Sequence, residues 1–77
     1  MPFASVRVIE NVFTPEEKEK MLKGVTEAIV AVEGESLRPY TVVIVEEVRS
    51  GDYGVGGNAL STADVHAVRN ASAAVTG

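Results

Sequence analysis

Two β-rich runs held apart by one helix-length segment constrain this chain more than any other feature. Residues 3–9, Phe-Ala-Ser-Val-Arg-Val-Ile, alternate loosely and read as a strand. Residues 40–48, Tyr-Thr-Val-Val-Ile-Val-Glu-Glu-Val, read as a second strand, and their β-branched run predicts burial on both faces. Between them Thr14-Pro15-Glu16-Glu17 opens a helix. Thr14 can cap it, Pro15 suits the first helical position, and Glu17 completes a capping box. Met21, Leu22, Val25, Ala28, Ile29 and Val32 recur at steps of three and four and form one apolar stripe. The helix is expected to run to Val32, with Gly34 as its stop and 36–39 as a loop. Strands joined by such a connection are expected to lie parallel, with a right-handed crossover.

The rest of the chain is short. Ser50 to Gly57 is rich in glycine and predicts a hairpin or a loop lying over another subunit. Ser61-Thr62-Ala63-Asp64 is a second capping box, opening a helix of about a dozen residues. The fold class is therefore α/β: a βαβ protomer with a C-terminal hairpin and short helix. Two strands and one long helix do not make a stable domain alone. A chain of 77 residues needs disulfides, a metal or partner copies to supplement its core. It has no cysteine, and one histidine, His66, makes no metal site by itself. Association remains, with the sheet completed by dimerisation.

Charge and hydropathy narrow the function. The net charge is −4 and no basic cluster occurs, which argues against a nucleic-acid partner. No apolar run reaches the length of a membrane span, and the N-terminus lacks the pattern of a signal peptide, so a cytoplasmic location is expected. Gly54-Val55-Gly56-Gly57-Asn58-Ala59 imitates a dinucleotide fingerprint, but too little chain follows for a nucleotide-binding unit. No cofactor is expected. Glu46 and Glu47 are adjacent on a strand and face opposite sides, so they read as solvated or structural. His66 reads as a surface residue and Asp64 as a capping group.

Three features in order carry a family resemblance. Pro2 follows Met1 directly, a compact βαβ unit comes next, and Asp52-Tyr53-Gly54-Val55-Gly56-Gly57 follows the second strand. The chain resembles the 4-oxalocrotonate tautomerase group of the tautomerase superfamily. The likeness covers residues 2–57 within a single domain spanning 1–77, and 58–77 forms a C-terminal extension. The resemblance implies that Met1 is removed and that the freed Pro2 nitrogen is a general base or acid. A terminal prolyl nitrogen is a secondary amine, whereas an internal one is an amide without useful basicity. Terminal amines titrate near about 8, and desolvation or a nearby cation lowers that value towards the working pH. The proline ring also fixes φ.

The resemblance further implies a cofactor-independent keto–enol tautomerase or isomerase of small 2-oxo acids or enols. It implies assembly as a homohexamer, a trimer of dimers. Family members hold carboxylates with two arginines, but Val12-Phe13 and Thr41 stand at those places here. Arg7, Arg38 and Arg49 are the replacement cations to consider. By the resemblance Ile9, Tyr53 and Val55 line the pocket, and the hydroxyls of Tyr40 and Tyr53 can donate to a carbonyl or enolate oxygen. Tyr40, Thr41 and Arg7 complete the expected substrate contacts. Two alternatives stay open: a dehalogenase or hydratase of the same superfamily, and a non-catalytic subunit of a hetero-oligomer.

Overall fold

The structure, a computed structural model, describes residues 2–76, with side chains through residue 71. Met1 and Gly77 lie outside the described residues, and so does the expected removal of Met1. The elements are β1 (Phe3–Ile9), α1 (Pro15–Glu33), a 3-10 helix (Glu35–Tyr40), β2 (Val42–Val48), β3 (Tyr53–Val55), β4 (Asn58–Leu60) and α2 (Thr62–Thr76). The βαβ order, the hairpin and the closing helix all match the sequence reading. The expected loop at 36–39 is instead helical. Pro39 tolerates that tight turn because its ring holds φ in the helical range. Tyr40 belongs to it, so β2 begins at Val42 rather than Tyr40.

β1 and β2 pair as a two-stranded sheet. Val42 N–H donates to Pro2 O at 3.1 Å, and Glu10 N–H donates to Val48 O at 2.7 Å. Low numbers meet low and high meet high, so the strands are parallel. Side chains alternate along them. Ala4, Val6, Val8, Val43 and Val45 are half-buried, while Phe3, Ser5, Arg7, Val42, Ile44 and Glu46 are exposed. Burial of β2 on both faces is therefore not met within one chain, where Val42 and Ile44 stay exposed because nothing among the described residues packs on their face.

The helix caps form as the sequence requires. Glu17 N–H donates to Thr14 Oγ1 at 3.1 Å, and Thr14 N–H donates to Glu17 Oε1 at 2.9 Å. Gly34 N–H closes α1 on Val30 O at 2.9 Å. Val30, not a member of the expected stripe, is the buried residue of α1, whereas Val32 is 91% exposed. The apolar set of α1 is wider than one stripe. One flank is covered by the chain itself and the other is left open.

The chain forms two compact units. One holds the chain up to Arg7 with Phe13–Glu46; the other holds Val8–Val12 and the chain from Glu47 onward. In the second, β3 and β4 form an antiparallel hairpin with Tyr53 opposite Leu60 and Val55 opposite Asn58. Gly56 and Gly57 turn it with φ of 59° and 85°, the two positive values that a tight two-residue hairpin turn demands.

α2 is tied to the β1–α1 turn in that same unit. Ser61 and Asp64 make the expected reciprocal cap, at 2.9 and 3.1 Å. Thr62 Oγ1 then donates to Glu10 O at 2.7 Å, and Arg69 Nη1 donates to Val12 O at 3.1 Å. Between them His66 Nε2 sits 2.9 Å from Asn11 O. Positions 62, 66 and 69 share one helix face, so α2 grips three successive carbonyls of the turn. His66 is thus a half-buried surface residue with a bonded ring, a tie its sequence reading did not include. Among the described residues Ile9, Val12 and Val30 are the buried apolar ones.

Candidate active site

Pro2 stands immediately before β1, its carbonyl held by Val42. Beside it opens an apolar groove of about 750 Å³ lined by Pro2, Gly24, Val25, Ala28, Ile29, Val32, Glu33 and Leu37. The groove follows from the width of the apolar set on α1. Gly24, Val25, Ala28 and Val32 recur at helical spacing on the flank that the chain does not cover. Such a surface repels water from whatever it encloses, which is the environment that lowers the basicity of an amine.

Glu33 is the charged member of that lining. Its Oε2 accepts a short hydrogen bond from Thr41 Oγ1, and Thr41 Oγ1 also reaches Leu37 O at 3.1 Å. Glu33 Oε1 is buried and has no hydrogen-bond partner. Thr41 precedes Val42, so neighbouring residues fix the Pro2 carbonyl and the Glu33 carboxylate.

The other expected site residues are distributed. Arg7 lies on the exposed face of β1 and makes no ion pair among the described residues. Tyr40 is 55% exposed at the end of the 3-10 helix. Ile9, Tyr53 and Val55 belong to the second unit, where Ile9 is buried and the hairpin residues are exposed. Arg38, a candidate replacement cation, is committed elsewhere. It donates to both oxygens of Glu27 at 2.7 and 3.0 Å and to both oxygens of Glu35 at 3.0 and 2.7 Å. Hydrogen bonds from Arg38 hold the Glu27 and Glu35 carboxyls below the ordinary carboxylate range, and the same bonds raise the guanidinium's own pKa. Arg38 lines a separate, smaller depression with Leu22, Lys23, Thr26 and Glu27.

Glu46 and Glu47 behave as structural groups. Glu46 accepts from Ser5 Oγ at 3.1 Å, and Glu47 accepts from Asn11 N–H at 3.1 Å. Sequence reasoning missed Glu33 and Arg69. Glu33 ends α1 with no motif around it; the one available signal was a carboxylate one residue beyond an apolar stripe. Arg69 was masked by the bland composition of α2. Among the described residues no group of three His, Asp or Glu side chains is placed to hold a metal ion. No helix among them is long and apolar enough to cross a membrane.

Comparison with known proteins agrees with this fold. A family model described as tautomerase enzyme matches residues 2–63, so α2 from Asp64 onward lies beyond the matched span. A probable tautomerase K2 of Dickeya dadantii is 34% identical over 61 residues, covering 79% of this chain and 90% of that one. The crystal structure of DmpI from Helicobacter pylori superposes with a TM-score of 0.67 at 31% identity, covering 77% of this chain and 95% of that one. YwhB, a homologue of 4-oxalocrotonate tautomerase, superposes with a TM-score of 0.65 at 33% identity, covering 82% and 97%.

Proposed function

The chain belongs to the tautomerase family, in its 4-oxalocrotonate tautomerase-like branch, and from that premise we propose that it is a cofactor-independent keto–enol tautomerase of small 2-oxo acids. The Pro2 amine moves the proton. It leaves one carbon or oxygen of the enol system, rides on the prolyl nitrogen, and returns at the other end. A positioned acid–base group of this kind contributes about 10²–10⁴-fold. The observation that carries the reading is the place of Pro2, at the chain's second position and in the wall of an apolar groove.

Arg7, or an arginine of a neighbouring copy, binds the substrate carboxylate. With Val12-Phe13 and Thr41 where family members carry arginines, monocarboxylate or aryl enols suit the site better than dicarboxylates. Thr41 has a structural task in any case, because its one hydroxyl proton is shared between Glu33 Oε2 and Leu37 O. The working form is a homohexamer, a trimer of dimers. Supporting this, Phe3 is 64% exposed and Ile44 is 37% exposed on the open sheet face, a surface that association would cover. Tyr40, Tyr53 and Val55, exposed in the single chain, are then available as walls of a pocket shared between copies.

The experiment is ketonisation of phenylenolpyruvate by protein whose intact mass lacks Met1. Pro2→Ala is expected to lower kcat/KM by about 100-fold or more. Unchanged activity in that variant would remove the prolyl amine from the mechanism.

A further inference from the structure

Glu33 is a carboxylate in an apolar groove, with one oxygen satisfied and the other buried and unpaired. Buried acceptors without partners are rare in folded proteins, and each one asks for a donor. Thr41 takes Oε2 and thereby orients the group. Oε1 is left without a partner, in the lining that also contains Pro2. Val42 pins the Pro2 carbonyl while the adjacent Thr41 pins Glu33, so the two groups are positioned from one stretch of backbone.

We propose that Glu33 is the positioning partner of the Pro2 amine: its free carboxylate oxygen receives the N–H of the protonated prolyl nitrogen and holds that nitrogen facing the groove. This rests on the prolyl-amine reading and adds what that reading lacks, a counter-charge for the ammonium formed in mid-reaction. When Pro2 takes a proton from the substrate, the new positive charge arises in the groove that also holds a carboxylate with an unpaired oxygen, and the proton stays on nitrogen until it is returned. Glu33 accepts a hydrogen bond and exchanges no proton. Such a charge favours the ammonium form, whereas the apolar groove disfavours it. The balance sets the pH at which Pro2 changes from acid to base.

The surrounding charges leave Glu33 as the partner on this side. From α1 the lining contributes Gly24, Val25, Ala28, Ile29 and Val32, none ionisable. From the 3-10 helix Glu35 is bound to Arg38, and Arg38 is shared with Glu27. From β2 the stretch Val42–Val45 is uncharged, and on β1 the first charged side chain is Arg7.

The test is a nitrogen-15 titration of Pro2 in ¹⁵N-proline-labelled protein, with loss of Met1 verified by mass. Glu33→Gln is expected to lower the Pro2 midpoint by about one pH unit and to move the acid limb of the kcat/KM profile with it. Thr41→Val, which frees the carboxylate to rotate, is expected to lower it in the same direction. Should Glu33→Gln fail to fold by circular dichroism, Thr41→Val carries the test alone. Equal midpoints in the wild type and the folded variants would overturn the proposal while leaving Pro2 catalysis intact. A Glu33-dependent midpoint together with full activity in Pro2→Ala would keep the pairing and overturn the catalytic reading. Retention of Met1 would overturn both.

Discussion

At the residue scale, Asn11 shows how one side chain fits a backbone demand. It has φ of 61° between β1 and α1, the left-handed conformation that asparagine tolerates and β-branched residues resist. Asn11→Val is expected to destabilise the fold by about 1–2 kcal/mol, and Asn11→Gly to be nearly neutral, as read from urea unfolding. Pro2 could be proposed from the sequence because the role the family resemblance assigns it depends on position in the chain. Glu33 could not, because its meaning comes from an unpaired oxygen and a hydroxyl eight residues away. Thr41 was singled out for a substrate contact, yet the structure gives its hydroxyl to Glu33. Spacing along a strand says which way a side chain points and nothing of what already occupies it.

At the element scale, α1 was legible from its cap to its last turn, since the Thr14–Glu17 box and Gly34 act locally. What the period of α1 did not reveal is which flank the chain itself covers. Val30 is buried and Val32 exposed because the partner surfaces lie elsewhere in the sequence. α2 presents the same lesson. Its start was written in Ser61–Asp64, but its attachment to three turn carbonyls through Thr62, His66 and Arg69 was not. His66→Ala is expected to cost about 1 kcal/mol of stability, measurable in denaturant, because it leaves a turn carbonyl without its donor. Acid should weaken the same helix. The Asp64 carboxyl is held below its ordinary range by hydrogen bonds, first from the Ser61 backbone and then from its side chain. A depressed folded-state pKa gives stability that is full above the unfolded value and lost as pH falls through the folded one. Amide exchange in the first turn of α2 is therefore expected to accelerate below the normal carboxylate range, and Asp64→Asn to abolish that pH dependence.

At the scale of the whole molecule, a chain with three buried apolar residues among those described has little core of its own. The sequence already implied as much, through two strands, one long helix and no cysteine. The number of copies came from the family resemblance and not from the residues themselves, because symmetry is a property of surfaces that only assemble in three dimensions. Ile44→Glu places a charge on the open sheet face and is expected to yield a species of the 8.1 kDa chain mass in sedimentation, where the wild type is expected to run as a closed oligomer. The proposed activity belongs to this scale too, since the groove beside Pro2 is open in the single chain. The most direct test of the central claim changes no side chain. Inserting one alanine between Met1 and Pro2 converts the prolyl nitrogen from an amine to an amide. Its kcat/KM for phenylenolpyruvate ketonisation is expected to fall by about 100-fold or more with the oligomer intact; a rate equal to that of the wild type would contradict the role of the Pro2 amine.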